Sequence, residues 1–385
     1  MAGNVPKIRF PGFTEPWEQR KLGEIGNTFS GLSGKTKEDF GHGQASFVTY
    51  LNVFNNSIGQ PNMIEKVEID PKQFQVKQGD ILFTTSSETP DEVGMACVWP
   101  VNLPNLYLNS FCFGFRPKKE IDINFYAHML RSPQVRNQIT LLAQGISRYN
   151  ISKTKMMDIR IWLPSESEQR WIGRFLGNID NLITLHQRKL DDLKKFKSGL
   201  LQKMFPKAGE TVPEVRFPEF TGDWEQRKLG ELYKINNERN TKLIPASKTL
   251  SVATMTFNES GNGADDSSIP KYKVLRVGDV AFEGHTSKAF RYGRFVLNNR
   301  EIGIMSPRFT TLRPKVEQDY NFWEYYIHSE SVMKCILVKA TKAGTMMNEL
   351  VPGDLFSQYI SVPEIDEQRK IGGLLKKIDY IITLH

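Results

Sequence analysis

The chain has few cysteines and no long hydrophobic run. Cys97, Cys112 and Cys335 show no Cys-x-x-Cys spacing, so we expect reduced core thiols of a cytoplasmic protein rather than a disulfide framework or a metal site. No apolar stretch approaches the roughly 20 residues that cross a bilayer, and the opening MAGNVPKIRF lacks the apolar segment of a secretory signal. The six histidines are scattered without ligand spacing, which predicts no metal centre.

Familiar catalytic motifs are also missing. The segment SGLSGKTK at 30–37 resembles a phosphate-binding loop, but that motif needs a glycine where Phe29 stands. The chain has no Asn-Pro-Pro-aromatic or Asp-Pro-Pro-Tyr tetrapeptide of the kind found in amino-methyltransferases. Gly79-Asp80 and Gly278-Asp279 each precede an apolar run, and a turn that enters a strand explains them better than a catalytic aspartate.

What the chain does have is an excess of positive charge. Its 51 lysines and arginines against 43 acidic residues give a formal charge of +8 and a pI near 9.1. On a globular chain this balance favours binding to a polyanion such as nucleic acid, although surface charge also serves solubility alone.

The most informative feature is an internal repeat. IRFPGFTEPWEQRKLG at 8–23 returns as VRFPEFTGDWEQRKLG at 215–230, and EQRWIGRFLGNIDNLITLH at 168–186 returns as EQRKIGGLLKKIDYIITLH at 367–385. The residues between these matching segments differ widely. The pattern indicates one scaffold, built twice, that carries two unlike recognition surfaces.

Each copy is predicted to fold as an α+β globule that is followed by a helix. The alternation at 106–117 predicts a half-buried strand with Phe111, Phe113 and Phe115 on one face. The other predicted strands are 46–54, 79–85 and 95–99 in copy one and 249–257, 278–284 and 301–314 in copy two. Helices are predicted at 124–143 and 321–340, with Pro133 as a break in the first, and a final short strand (IRIWLP or YISVP) precedes each closing segment.

The closing segments carry a heptad-like apolar seam. Ser165 and Glu168 predict a capping box at the first helix start. The seam consists of Ile172, Leu176, Ile179, Ile183, His186, Leu190, Leu193, Lys197, Leu200 and Met204 in copy one, and of Ile371, Leu375, Ile378, Ile382 and His385 in copy two. We therefore expect two antiparallel coiled-coil helices, the first roughly 60 Å long. The alternative is an ordinary amphipathic helix that lies on its own globule.

Two pairs of loops supply candidate nucleic-acid contacts. In copy one they lie at 84–92 and 144–155, and in copy two at 284–294 and 342–349. Hydroxyls, amides and basic side chains can contact bases and phosphates. The candidates are Lys35, Lys37, Thr85, Ser86, Ser87, Arg148, Tyr149, Asn150, Lys153, His285, Lys288, Arg291, Arg294, Lys342, Thr345 and Asn348. For any single residue, an ordinary surface position is an equally good interpretation.

Taken together, these motifs resemble the specificity subunit of a type I restriction–modification system. The resemblance rests on RFPGF and WEQRKLGE near the start, GDILF at 79–83, the repeated EQR-x-IG seam, and QRKLDDLKKFKSGLLQKMFP at 187–206. It covers essentially the whole chain. One departure is that the second helix stops at His385 where the first continues, so the chain is either a truncated form or completes its bundle with another molecule.

The resemblance implies a non-catalytic DNA-recognition subunit of α+β class, with two pseudo-symmetric α/β target recognition domains joined by two long antiparallel coiled-coil helices. The implied limits are recognition domains at 1–164 and 207–363 and helical spacers at 165–206 and 364–385. Each domain would read one half of a split site in double-stranded DNA, and the helices would set the spacing and dock two methyltransferase subunits. Restriction subunits complete such complexes; S-adenosylmethionine, ATP and Mg²⁺ belong to the partner subunits, and no membrane is involved.

Two other classes of function stay open from the sequence. A restriction-enzyme fragment with its own nuclease or methylase centre would turn over DNA without partners. A pure assembly scaffold would bind a protein in a salt-insensitive manner and leave no footprint on DNA.

Overall fold

The computed structural model describes residues 6–207, 209–258 and 266–385, and the chain divides into two compact units, residues 1–184 and 185–385. We call them unit 1 and unit 2. Within the described residues, no helix combines the length and apolar character needed to span a membrane.

Unit 1 mixes short strands and helices. Its strands are β1 (Glu18–Lys21), β2 (Gly26–Ser30), β3 (Phe40–Val48), β4 (Ile64–Val67), β5 (Ile81–Thr84), β6 (Ser86–Ser87), β7 (Ala96–Val98), β8 (Leu106–Leu108), β9 (Cys112–Pro117), β10 (Tyr149–Asn150) and β11 (Arg160–Leu163). Its helices are α1 (Leu22–Ile25), α2 (Tyr50–Asn55), α3 (Ile123–Leu130), α4 (Pro133–Leu141), α5 (Lys153–Met156) and the start of α6 (Glu166–Lys203), with a 3-10 turn at Lys37–Asp39.

Unit 2 repeats this plan and begins with the second half of α6. Its strands are β12 (Glu225–Lys228), β13 (Tyr233–Ile235), β14 (Thr249–Leu250), β15 (Phe257–Asn258), β16 (Lys273–Leu275), β17 (Val280–Glu283), β18 (Arg294–Leu297), β19 (Gly303–Met305), β20 (Thr311–Pro314), β21 (Thr341–Lys342), β22 (Glu349–Leu350) and β23 (Tyr359–Val362). Its helices are α7 (Leu229–Leu232), α8 (Tyr320–Tyr326), α9 (Glu330–Ala340), α10 (Pro352–Ser357) and α11 (Ile365–Leu384), with 3-10 turns at Ala246–Lys248 and Asp266–Lys271.

The sheets confirm that the two units share a scaffold. A four-stranded sheet has the order β2-β9-β5-β7 in unit 1 and β13-β20-β17-β18 in unit 2. A second sheet has the order β4-β3-β8 in unit 1 and β15-β14-β19-β16 in unit 2, and each contains one parallel pair. The central strands β5 and β17 are buried along their whole length, which explains their continuous apolar runs.

The repeated Glu-Gln-Arg-Lys tetrapeptide forms the first strand of each unit. β1 pairs antiparallel with β11, where Glu18 faces Leu163, and β12 pairs with β23 in the identical register, where Glu225 faces Val362. The opening repeat is therefore held to the strand that directly precedes each long helix. This pairing joins the start and the end of each recognition globule in one two-stranded sheet.

The Gly-Asp repeats are structural turns, as predicted. Gly79 has φ +85°, and the Asp80 carboxylate accepts from the Lys77 amide at 2.7 Å and from two nitrogens of Arg116 at 2.8 and 2.7 Å. Asp279 makes the equivalent bonds with the Arg276 amide and with Arg313. Both aspartate side chains are 1% exposed, so neither offers room to a substrate.

A second repeated ion pair anchors each long helix. Arg9 donates from Nε and Nη2 to the two Glu168 oxygens at 2.6 Å, and Arg216 donates to Glu367 in the same way at 2.7 Å. The glutamate side chains are 1% and 0% exposed. These contacts explain why the Arg-Phe-Pro and Glu-Gln-Arg motifs recur together.

The capping prediction at Ser165 is half confirmed. Ser165 Oγ accepts from the Glu168 amide at 3.3 Å, as an N-cap does. The Glu168 carboxylate, however, is occupied by Arg9 rather than by the backbone of the cap residue. An ion pair with a distant segment has replaced the reciprocal half of the capping box.

Within unit 2, α11 and the second half of α6 run antiparallel. His186 Nδ1 lies 3.0 Å from His385 Nδ1, and Lys197 Nζ lies 2.5 Å from Asp379 Oδ1, so the numbering rises along one helix as it falls along the other. The buried members of the predicted seam are Ile371, Leu375, Ile378 and Met204. Of these, Met204, Ile371 and Leu375 belong to the core cluster of unit 2, which also contains Phe322 and Tyr326 of α8. Leu190, Leu193 and Leu200 are half-buried.

Several predicted strands differ from the structure. The run at 106–117 breaks into β8 and β9 because Asn109 Oδ1 accepts from the Phe111 amide at 2.9 Å in a turn. Phe111 is consequently 57% exposed, whereas Phe113 and Phe115 are buried as expected. Residues 50–55 form α2 instead of continuing a strand, since Thr49 caps that helix by accepting from the Asn52 amide.

The structure confirms one predicted helix break, adds a second break, and corrects the prediction for one cysteine. Pro133 is indeed the break in the first helix, because it begins α4. The second predicted helix is broken as well, between α8 and α9, where Ser329 is the N-cap residue. Cys97 and Cys112 are buried, and burial raises the pKa of each thiol to about 12, but Cys335 is exposed and is not a core residue.

Candidate nucleic-acid interface

The two candidate loops of unit 1 form one structure. β6 and β10 pair antiparallel, with Ser87 opposite Tyr149 and Ser86 opposite Asn150. The Ile151 amide donates to the Thr85 carbonyl at 3.0 Å and extends the contact. Segments more than 60 residues apart along the chain are thereby placed side by side, which the sequence alone did not predict.

Some predicted contact residues of unit 1 serve as support. Ser86 and Ser87 are 5% and 8% exposed, and the Tyr50 hydroxyl donates to the Ser86 carbonyl at 2.8 Å. Ser87 Oγ donates to Glu92 at 3.2 Å, and Thr85 Oγ1 donates to the Phe111 carbonyl at 2.7 Å. The hydroxyls of Ser87 and Thr85 therefore bond to other groups of the protein and help to hold the paired loops in place.

The exposed positions lie next to this support. Arg148 and Asn150 are exposed, and Tyr149 is half-buried. Ile146, at the tip of the loop, is 97% exposed. Arginine and asparagine are the side chains that make paired hydrogen bonds to guanine and adenine.

The basic candidates outside the loop pair have mixed surroundings. Lys35 is only 12% exposed and pairs with Asp70 at 3.2 Å. Bonds from Gln73 and from the Lys72 amide, with Lys35 nearby, lower the pKa of Asp70 to about 2, so this pair persists at neutral pH. Lys37 is exposed, and Lys153 donates to Ser30 Oγ at 2.8 Å.

Unit 2 brings its two loops together at the equivalent place. β21 and β22 form a hairpin around residues 343–348, and the Asn348 amide donates to the Gly284 carbonyl at 2.9 Å. Asn348 Nδ2 also donates to the Arg291 carbonyl at 3.2 Å. A Cβ at Gly284 would lie 2.0 Å from the Asn348 carbonyl oxygen, so this approach requires glycine.

The chemistry displayed by unit 2 differs from that of unit 1. Lys288 and Arg291 are exposed, and His285 is 52% exposed beside Glu283. Arg294 is committed to Glu283 at 2.5 Å and lies 5.1 Å from the centre of the Phe290 ring, so its guanidinium is largely occupied.

The hairpin of unit 2 adds further exposed groups. Thr345 is exposed, and Lys342 pairs with Glu349 at 3.4 Å at a solvated surface. Met346 is 79% exposed at the tip. Ile146 and Met346 were not among the candidates predicted from the sequence, although each lies within two positions of a loop glycine, Gly145 or Gly344.

The described residues offer no cluster of three or more histidine, cysteine, aspartate or glutamate side chains able to hold a metal ion. Charged side chains of unit 2 form a network around the Gly278-Asp279 turn. In unit 2, Arg276 and Arg313 both bind Glu238 and lower the pKa of its carboxyl to about 2, with the Arg276 hydrogen bond the larger cause. These groups are satisfied by each other and anchor the Gly-Asp turn.

Known proteins align with the chain over most of its length. The chain is 23% identical to the putative type I restriction enzyme MjaX specificity subunit of Methanocaldococcus jannaschii, over 99% of this chain and 91% of that protein. It is 24% identical to the type I restriction enzyme StySPI specificity subunit of Salmonella potsdam, over 93% and 81% of the respective chains.

Solved structures share the fold at low sequence identity. The crystal structure of a type I restriction-modification S subunit from M. genitalium superposes with a TM-score of 0.53 at 13% identity, covering 100% of this chain and 94% of the other. The HsdS subunit from Thermoanaerobacter tengcongensis gives 0.51 at 20% identity, covering 98% and 92%.

A family model supplies the assignment. The model described as "Type I restriction modification DNA specificity domain" matches twice, at residues 14–195 and 221–385, which are the two copies of the repeat. The chain therefore belongs to the family of type I restriction–modification DNA specificity subunits, whose fold of two mixed α/β domains with long helices it shares.

Proposed function

We propose that this chain is the non-catalytic DNA-recognition subunit of a type I restriction–modification complex, and that each unit reads one half of a bipartite target. The observation that carries this proposal is the loop pair of each unit. The same scaffold, with matching strand order, places two distant loops together twice, and the exposed side chains of the two pairs differ. A protein that reads two different half-sites needs this combination.

The proposal includes the domain limits and the role of the helices. Recognition domains at 1–164 and 207–363 would carry the loops, and helical spacers at 165–206 and 364–385 would set the half-site spacing and dock two methyltransferase subunits. The 38 residues of α6 span about 57 Å, which exceeds one turn of DNA at about 34–36 Å. S-adenosylmethionine, ATP and Mg²⁺ would be bound by the partner subunits, and the complex would act in the cytoplasm.

Burial distinguishes proposed contact residues that would touch DNA from those that would support the loops. Exposed Arg148, Asn150, Lys288 and Arg291 would contact DNA. Buried Ser86 and Ser87, together with Thr85, would hold the loops. The remaining members of the proposed set are Lys35, Lys37, Tyr149, Lys153, His285, Arg294, Lys342, Thr345 and Asn348.

The salt dependence of binding tests the proposal. In complex with the methyltransferase subunit, the chain should bind a bipartite duplex, and the logarithm of the affinity should fall linearly with the logarithm of salt concentration because phosphate contacts release counterions. Fluorescence anisotropy on specific and scrambled duplexes, at several salt concentrations, measures both the sequence preference and the salt dependence of the affinity. Equal affinity for every sequence, or an affinity that salt leaves unchanged, would contradict the proposal.

Single substitutions in the exposed set should act on one half-site each. Arg148→Ala is expected to weaken binding by about 1–3 kcal/mol and to relax specificity only in the half-site read by unit 1, because an arginine fork to a base edge contributes that amount. Arg291→Ala should do the same for the other half-site. Binding to duplexes mutated in one half at a time measures this, with Arg20→Ala, an exposed arginine of β1, as the matched control.

A further inference from the structure

The loop tips of the two units contain the same glycine turn. A Cβ at Gly145 would lie 2.0 Å from the carbonyl oxygen of Arg148, and a Cβ at Gly344 would lie 2.4 Å from the carbonyl oxygen of Met347. In both turns the obstructing carbonyl belongs to the third residue after the glycine. A side chain at either position would clash, so the two turns are structural counterparts although their sequences differ.

Backbone hydrogen bonds fix the base of each turn. In unit 1, Gln144 and Asn150 exchange amide-to-carbonyl bonds of 2.9 and 2.8 Å, and β10 pairs with β6 directly behind them. In unit 2, β21 pairs with β22, and the Asn348 amide donates to the Gly284 carbonyl at 2.9 Å. Each tip therefore projects from a base that is anchored to the rest of its unit.

Each tip presents one large apolar side chain to solvent. Ile146 is 97% exposed, and Met346 is 79% exposed. Beside them stand small hydroxyl residues, Ser147 and Thr345, which are also exposed. A single exposed apolar residue is ordinary on a protein surface, but here one recurs on the same turn of both units. This recurrence indicates a shared role for the two side chains.

The charges around the tips favour a polyanion. The turns at 144–150 and 342–348 contain one cation each, Arg148 and Lys342, and no acidic residue. Arg291 lies next to the second turn, because its carbonyl accepts a side-chain hydrogen bond from the hairpin at 3.2 Å. Cations neutralise phosphates on the outside of a duplex, and an apolar side chain between them finds apolar surroundings at the stacked bases.

We propose that Ile146 and Met346 are wedges that enter the DNA of their respective half-sites and unstack one base step each. Isoleucine and methionine are among the side chains that open base steps in this way. The inference rests on the proposed function, because each unit must first dock on its half-site. The partner methyltransferase gives the wedge a use that a passive apolar contact lacks, because a base must leave the stack before it is modified and an opened step nearby lowers the cost.

The unstacking is measured with 2-aminopurine, a base whose fluorescence is quenched when it is stacked. Duplexes carry this base at successive purine positions of the bipartite target found by methylation profiling, except at the modified base, which the methyltransferase itself extrudes. When the chain binds in complex with the methyltransferase subunit, the fluorescence should rise several-fold at one step in each half-site. No rise at any of these positions would overturn the proposal.

Substitutions at the tips assign the two signals. Ile146→Ser should abolish the rise in the half-site of unit 1 and leave the other half unchanged, and Met346→Ser should do the reverse. Ile146→Leu and Met346→Leu retain an apolar side chain of similar size and should keep both signals. Ser147→Ala, at the neighbouring exposed position, is the matched control and should change neither signal. Because Ile146 and Met346 are exposed, these changes leave the packed core intact.

Binding measurements separate failure of the wedge from failure of the proposed function. If the complex prefers its bipartite target and responds to salt, but the serine variants leave every fluorescence signal unchanged, the wedge is overturned and the DNA-recognition function stands. If replacing thymine by deoxyuridine in a half-site weakens binding as much as the serine variant does, without any unstacking, the tips contact thymine methyl groups and the wedge is again overturned. Binding without any sequence preference would contradict both.

Discussion

Replacing Arg216 with alanine is expected to lower the free energy of unfolding of unit 2 by about 3–5 kcal/mol. The substitution leaves the Glu367 carboxylate, whose side chain is 0% exposed, without the two 2.7 Å hydrogen bonds that compensate its loss of hydration. Hydrogen exchange of β12 and β23 across a urea titration measures the stability of unit 2 separately from that of unit 1.

Arg369→Ala provides the matched control for this prediction. Arg369 stands two residues after Glu367 on the same helix and pairs with Asp366 at 2.9 Å and Glu317 at 3.0 Å, but its side chain is 54% exposed. Its loss should cost less than about 1 kcal/mol, because solvent screens such pairs. Equal effects of the two substitutions would show that burial of the Arg216–Glu367 pair is not the source of its strength.

Exchanging residues 24–150 for the corresponding residues of another family member is expected to replace one half-site completely and leave the other unchanged. The exchange removes β6 and β10 together and retains the pairing of β1 with β11 that closes unit 1. Sequencing of DNA selected by the hybrid in complex with the methyltransferase subunit reports both halves of the target.

The outcome of the exchange shows whether each unit recognises one half-site by itself or whether both units contribute to both half-sites. A change in both half-sites would contradict the assignment of one loop pair to each half. As the control, a hybrid that exchanges only residues 118–121, which lie between β9 and α3 and outside the paired loops, should retain both half-sites.

The repeat made much of the scaffold predictable. Identical tetrapeptides gave β1 and β12 the same partners, and the Gly-Asp turns were recognisable because a glycine before an aspartate at a strand start has few other structural roles. The long helix was predictable because its seam is periodic over many turns, and the cap at Ser165 indicated its start within one residue.

Contacts between distant segments were not predictable from the repeat. The Arg9–Glu168 pair joins residues 159 positions apart, and nothing local in either motif indicates the other as its partner. The aromatic and β-branched run that contains Tyr50 and Val53 favours a strand by propensity, yet a cap at Thr49 turns it into a helix.

The sequence predicted which loops belong to the candidate site but did not predict how those loops contact each other. The loops were identified because their sequences differ between the two copies of the repeat, whereas the scaffold sequences match. Their pairing, through Ser86 and Asn150 in unit 1 and through Gly284 and Asn348 in unit 2, depends on the tertiary fold. Exposure then divides residues that look equivalent in sequence: Ser87 is buried, whereas Arg148 is exposed.

Methylation profiling tests the central claim most directly. Genomic DNA from cells that express this chain with its methyltransferase partner should carry methyl groups at a single bipartite motif, in which two short specified segments are separated by a fixed number of unspecified bases. A continuous motif, or a motif with variable spacing, would contradict an account in which two unlike loop pairs each read one half of the target.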